Sequence, residues 1–138
     1  MIAHPEDLDV VVTPNLYGDI LSDGAAGMIG GLGLAPSGCY GESYAYFESA
    51  HGTAPDIAGQ NIINPTATML SAAMMLDYLG MNGAALRLRE AVRTVYSQGR
   101  ILPRDQGGTA STTEFCAAVR ALLSVSYTHL TLPTKRIV

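Results

Sequence analysis

Between residues 51 and 65 the chain reads His51-Gly-Thr-Ala-Pro-Asp-Ile-Ala-Gly59, then Gln-Asn-Ile-Ile, then Asn64-Pro65, with a run rich in Ala, Met and Leu behind it. No other segment limits the local architecture as tightly. Gly52 and Gly59 remove side-chain bulk, Pro55 sets a turn, and Asn64-Pro65 breaks the chain just ahead of a helix. A loop of this composition brings backbone close to a bound molecule. Asp56 is its one carboxylate, set among small apolar neighbours. A carboxylate there accepts hydrogen bonds from paired ribose hydroxyls and repels a phosphate. An ordinary Gly/Pro-rich turn has the same composition, and the loop alone leaves both readings open.

Upstream, Leu8-Asp-Val-Val-Val-Thr13 is a short β-branched run ahead of Pro14, and it predicts a buried strand. A helix is then expected to open around Gly18-Asp19 and to end in Gly30, Gly31 and Gly33. Asp19 and Asp23 are four residues apart and share one helix face near that first turn. Carboxylates in a first turn complement the helix dipole, worth about 0.3–1 kcal/mol. Two like charges side by side also suit a hard divalent cation, which prefers carboxylate and substrate oxygens. Spacing alone supports both.

Taken together, the two blocks resemble the β-decarboxylating dehydrogenases of the isocitrate/3-isopropylmalate type. NLYGDILSD with the following GGLGLAPS is similar to that family's metal-site block, and HGTAPDIAGQNIINPTATMLSAAMML to its cofactor loop and the helix after it. The resemblance implies that Asp19 and Asp23 ligate Mg2+ or Mn2+. It implies a cofactor site made of Glu48, His51, Gly52, Thr53, Ala54, Pro55, Asp56, Ile57, Ala58, Gly59, Ile63 and Asn64. The Asp56-Ile57 pair looks like the NAD-using version of the loop. The glycines at 30, 31 and 33 follow a helix, not a strand, so they fail the context of a Rossmann fingerprint. The implied fold is a family-specific, non-Rossmann α/β arrangement of helices on a sheet, seen as a partial domain.

The family's substrate-clamping arginines and general-acid tyrosine match nothing in this chain, and its lysine base and third metal aspartate come from a partner subunit. No catalytic residue is therefore assigned here. Residues 1–123 are expected to be the C-terminal portion of such a dehydrogenase, a homodimer in full-length form. The implied reaction is NAD-dependent oxidative decarboxylation of a 2-hydroxy di- or tricarboxylic acid. His51-Gly-Thr, in place of His-Gly-Ser, tilts the choice toward isocitrate over 3-isopropylmalate. The alternative is a non-catalytic regulatory subunit, or an NAD- and metal-binding module of the same family.

Twelve acids against eight bases, net −4, argue against a nucleic-acid partner. The two cysteines, Cys39 and Cys116, give no disulfide framework or zinc spacing and are expected to be small packing residues. The start of the chain lacks a basic, apolar leader, and the run Ala67–Leu76 is too short to span a bilayer, which makes the cytoplasm the expected compartment.

The remaining expectations concern scaffold. Ser43–Glu48 reads as a strand, Pro65 to about Gly80 as an Ala/Met-rich helix, and Ala84–Gly99 as an amphipathic helix with a solvated charged face. Ser111 and Glu114 have capping-box spacing ahead of a last helix over about Thr113–Leu123. The Asp105-Gln-Gly-Gly turn reads first as a solvated turn; it also resembles a family segment near the cofactor's adenosine, which makes Asp105 a secondary candidate contact. Residues 124–138 carry the only lysine, no acid and no helical period. They read as a foreign, vector-derived extension to be left out of fold reasoning.

Overall fold

Pro14 has no amide hydrogen, but its carbonyl starts a helix by accepting the Tyr17 and Gly18 N–H groups at 3.1 and 3.0 Å. In the computed structural model, which describes residues 4–125, this helix is α1, Asn15–Met28. Its 3-10 continuation Leu32–Leu34 delivers the chain to a hairpin of β1, Pro36–Tyr40, and β2, Ala45–Ser49. Three helices follow: α2, Thr66–Tyr78; α3, Asn82–Gln98; and α4, Thr112–Val125.

The hairpin is antiparallel, with Pro36 opposite Ser49 and Tyr40 opposite Ala45, and Gly41 N–H closes its turn on the Tyr44 carbonyl at 2.9 Å. α2 docks on it through Ser71, a buried hydroxyl that accepts the Ser37 N–H at 3.2 Å and donates to the Glu48 carbonyl at 2.5 Å. That contact brings one helix against both strands, and it needs a residue no larger than serine. Two further inward residues of α2 are as small: Ala67 and Ala73 are fully buried. Small residues here allow close approach, while Met75 and Tyr78 remain exposed.

The core forms where α3 crosses α4. Ala91, Val92 and Val95 meet Phe115 and Val119, with Met69, Leu88, Tyr96 and Leu122 around them. The Phe115 ring is 0% exposed and lies 5.3 Å from the Tyr96 ring, centroid to centroid. Burying a ring and its aliphatic neighbours on this scale stabilises by about 2–3 kcal/mol per large side chain. Glu90 and Arg93 pair on α3's outer face, and Arg89 reaches Asp77 of α2 at 2.6 Å. The amphipathic reading of this helix holds. Gly99, at φ +65°, ends it in the left-handed region that a glycine enters without a Cβ penalty.

Several expectations need correction. Leu8–Thr13 is not a buried strand: it forms no ladder, and Val10 and Val12 are 80% and 91% exposed. A strand requires a partner for its backbone groups, and the sheet among the described residues is the hairpin alone. β1 was not anticipated, because PSGCY has neither alternation nor β-branched bulk; its pairing with β2 makes it a strand. Cys39 is not a packing residue, since it lies on the exposed side of β1, whereas Cys116 is half-buried. α1 opens at Asn15, not at Gly18-Asp19. The capping box, by contrast, is present as expected. Ser111 Oγ accepts the Glu114 N–H at 3.3 Å, and Ser111 N–H donates to Glu114 Oε2 at 2.8 Å. Of the proposed foreign extension, residues 126–138 lie outside the described residues.

Candidate cofactor cleft and metal-site helix

The earlier start of α1 changes what its aspartates can be doing. Asp19 is the fifth residue of the helix and Asp23 lies a turn further, so the first turn holds no acid. Dipole stabilisation fades beyond that turn. Both side chains are exposed, and Asp19 Oδ2 accepts a hydrogen bond from Asn15 Nδ2 at 3.1 Å. Neither has a basic partner among the described residues. Two carboxylates without a basic partner, one helical turn apart on a helix face, fit part of a hard-cation site. The described residues supply no third ligand, for no three His, Cys, Asp or Glu side chains gather there.

The glycine and proline loop folds as its composition requires. Ala54 adopts φ +44°, a left-handed conformation, which turns the chain into the 3-10 turn Pro55–Ile57. Ala58 N–H then bonds the Pro55 carbonyl, Gln60 Nε2 bonds the Asp56 carbonyl at 2.9 Å, and Gly59 turns back at φ +76°. Two distant elements hold the loop in place. Asn61, itself at φ +57°, donates through Nδ2 to Thr113 Oγ1, while its carbonyl and Oδ1 accept the Thr112 and Thr113 N–H groups. Thr112 Oγ1 returns a bond to the Ile63 carbonyl at 2.6 Å. The loop thus satisfies amides at the α4 N-terminus that would otherwise lack partners.

At its far end sits Asn64, 4% exposed. Its Oδ1 accepts the Thr66 N–H at 3.0 Å, which caps α2, and its Nδ2 donates to Asp105 Oδ2 at 3.0 Å and to the Tyr96 hydroxyl at 3.2 Å. Tyr96 also shares a 2.8 Å bond with Thr66 Oγ1. Burial pushes the Tyr96 phenol above its ordinary value; hydrogen bonds with Thr66 and Asn64 pull part of the way back, and the Asp105 charge adds to the rise. The phenol therefore stays protonated at neutral pH and remains a full member of this network.

These elements enclose a cleft of about 470 Å³. Leu32 and Gly33 form one wall, Arg104 and Asp105 another, and His51, Gly52, Ala54, Ile57, Ile63 and Asn64 the third, with Ile62 beside them. A Cβ on Gly33 would come within 2.7 Å of Asp105 Oδ2, so glycine lets the first two walls meet. His51 Nδ1 lies 2.9 Å from the Gly52 carbonyl. A carbonyl only accepts, so in the neutral ring Nδ1 carries the proton and Nε2 is an acceptor. The cleft is largely apolar with a few polar groups at its rim, as a site for a flat aromatic ligand requires.

The structure brings together part of the set expected from sequence. His51, Gly52, Ala54, Ile57, Ile63 and Asn64 line the main cleft, and Thr53, Ala58 and Gly59 line a second, smaller hollow of about 400 Å³ with Thr112. Pro55 and the exposed Asp56 lie on the outer turn, and Glu48 points to solvent from β2; none of the three is in either lining. Asp19 and Asp23 line neither. Leu32, Gly33, Ile62 and Arg104 were not anticipated. The only sequence cue to the first two was the glycine-rich run itself, which reads equally well as a helix terminator.

Comparisons with known proteins place the chain in a family. The model of the isocitrate/isopropylmalate dehydrogenase family matches residues 1–119. The chain is 59% identical over 119 residues to the isocitrate/homoisocitrate dehydrogenase of Thermus thermophilus, covering 86% of this chain and 35% of that protein. It is 54% identical over 119 residues to the 3-isopropylmalate/3-methylmalate dehydrogenase of Methanocaldococcus jannaschii, again 86% of this chain and 35% of the relative. The crystal structure of isocitrate dehydrogenase from Methylococcus capsulatus superposes with a TM-score of 0.84 at 45% identity, over 89% of this chain and 37% of that one. The chain thus spans about a third of the length of the relatives it matches. With its motifs, its partial α/β fold and these relatives in agreement, the chain belongs to the isocitrate/isopropylmalate dehydrogenase family.

Proposed function

We propose that this chain forms the NAD- and metal-binding portion of an oxidative decarboxylase acting on a 2-hydroxy di- or tricarboxylic acid, with isocitrate preferred over 3-isopropylmalate. The observation that carries the reading is the cleft of about 470 Å³ walled by the loop from His51 to Asn64, with Asp56 exposed on the turn beside it. In this reading the apolar walls formed by Leu32, Ile57 and Ile62 hold the adenine face. Asp105 accepts from the adenosine, and the Asp56 carboxylate meets the ribose hydroxyls and repels a 2′-phosphate. His51 Nε2 stands at the cleft edge as an acceptor. A relative from Caenorhabditis elegans, 53% identical over 121 residues, is named as a probable NAD isocitrate dehydrogenase subunit alpha, which supports the cofactor choice.

Asp19 and Asp23 would supply carboxylate oxygens to Mg2+ or Mn2+. Bound there, the cation would supply Lewis-acid stabilisation of negative charge on substrate oxygens. The chain's own contribution there is to present two exposed carboxylates that have no basic partner among the described residues. The remaining groups for chemistry belong to other parts of a full-length homodimer in this reading. A cytoplasmic location is part of this reading. Among the described residues, no helix is long and apolar enough to cross a membrane.

Calorimetric titration of the chain with NAD and with NADP, in the presence of Mg2+, tests the proposal. NAD binding at least tenfold tighter than NADP is expected, and Asp56→Lys should narrow or reverse the preference. Equal affinity for the two, unchanged by Asp56→Lys, would sink it.

A further inference from the structure

We propose that Gln106 is a positioning residue for the cofactor cleft: it fastens two of the walls together and fixes the carboxylate of Asp105. Gln106 is half-buried at the end of the 3-10 turn Arg104–Gln106. Its Nε2 carries two hydrogens, and both are used. One goes to the Gly30 carbonyl at 2.8 Å and the other to Asp105 Oδ2 at 3.2 Å. Gly30, at φ +111°, lies just past the end of α1, where helix carbonyls lack partners within the helix. The bond therefore ties the 104–106 turn, which bears Arg104 and Asp105, to the connection that leads into Leu32 and Gly33.

The second bond determines how Asp105 is presented. Asp105 Oδ2 accepts from Gln106 Nε2 and from Asn64 Nδ2 at 3.0 Å. Two amide donors on one oxygen lock the carboxylate's rotation. They leave Oδ1, which has no hydrogen bond among the described residues, as the oxygen available to a ligand. No ion pair neutralises Asp105 among the described residues either, so the two amides are the groups that hold it. Asp105 is exposed as a whole, but its Oδ2 lies against Gly33, where a Cβ would come within 2.7 Å of it. A slack carboxylate in that space would swing against Gly33 and narrow the cleft. Gln106 does not touch the ligand itself, so its effect must pass through Asp105 and the wall spacing.

The assignment rests on the NAD reading of the cleft, and the experiment separates the two. NAD affinity is measured by calorimetry for the full chain, for Gln106→Ala, for Asp105→Ala and for the double variant. Gln106→Ala should bind NAD about five- to tenfold more weakly, the size expected for losing one or two hydrogen bonds that hold a ligand-binding group. In the Asp105→Ala background the same substitution should change affinity less than about twofold, because the two side chains belong to one hydrogen-bond network. A purely structural glutamine would add its effect in both backgrounds. In parallel, 15N spectra without cofactor read the contact directly: Gln106→Ala should shift the Asn64 side-chain amide and the backbone amides of Gly31 to Leu34. If those signals stay in place, or NAD affinity is unchanged in Gln106→Ala, the role of Gln106 is overturned while the cofactor reading stands. A wild-type chain that binds no NAD overturns both.

Discussion

Asn61 and Thr113 lie 52 residues apart and are hydrogen-bonded in both directions: Asn61 Nδ2 donates to Thr113 Oγ1 at 2.9 Å, and Thr113 N–H donates to Asn61 Oδ1 at 3.2 Å. With the Thr112 N–H on the Asn61 carbonyl, the loop over 51–64 acts as an N-terminal cap for a helix far along the chain. Loop order and helix stability are thereby one quantity. Asn61→Ala should cost about 1–2 kcal/mol, the range of a lost cap, and should weaken NAD binding at the same time. Asn61→Asp keeps the acceptor and adds a favourable charge at the helix N-terminus, so it should cost less. Urea melts of the three proteins check the order; an unchanged midpoint for Asn61→Ala would show that the cap carries no load.

The capping box at the same helix end gives a pH dependence with a definite sign. Glu114 is held below the ordinary carboxylate range, first by the Ser111 backbone N–H and then by the Ser111 hydroxyl. A carboxylate with a depressed folded-state pKa contributes stability that is present above its unfolded value. That contribution is lost as pH falls through the folded value. Melting temperatures of the chain and of Glu114→Gln should therefore converge as the solution is acidified across that window and differ at neutral pH. A constant gap between the two curves would count against the assignment.

How much of this was legible in the sequence depended on where the determining contacts lie. The α4 capping box and the outlines of α2 and α3 were readable because spacing within one element sets them. So was β2, since Tyr46 and Phe47 give it aromatic bulk. The glycines and Pro55 marked the loop for the same reason. β1 was missed because PSGCY becomes a strand only through its partner. Leu8–Thr13 was misread because β-branched residues predict a strand without saying whether a partner is there. Asn64 looked like a ligand contact, and it does line the cleft, but its polar atoms are committed to Thr66, Tyr96 and Asp105. Contacts across 30 to 41 residues leave no local trace.

The three-helix core should be sensitive to one ring above all. Phe115 is fully buried, and its neighbours Val92, Val95, Val119 and Tyr96 come from two helices that would have to move to fill its place. Phe115→Ala should cost about 3–5 kcal/mol, and Phe115→Leu distinctly less. Since folding free energies of small domains are themselves only about 5–15 kcal/mol, the alanine variant should approach complete unfolding at physiological temperature. Circular dichroism melts would show it. A loss below about 1 kcal/mol would mean that the α3–α4 contact is not the main core.

Asp19 and Asp23 allow a test in which stability and binding move apart. If their role were to support α1, replacing them with the neutral amide would destabilise the helix. Both lie beyond the first turn and are exposed, so the structure gives them little part in folding. Asp19→Asn and Asp23→Asn should each shift stability by no more than about 0.5 kcal/mol, as surface changes do. Removing one of two like charges a turn apart should, if anything, raise it slightly. Binding should respond differently. Mn2+ added to the 15N-labelled chain should broaden the amide signals around Asp19 to Asp23 first, and each substitution should demand several-fold more Mn2+ for the same broadening. The double variant should lose the local effect altogether. Broadening that persists there, or a melting point that drops in either single variant, would return the pair to a structural role.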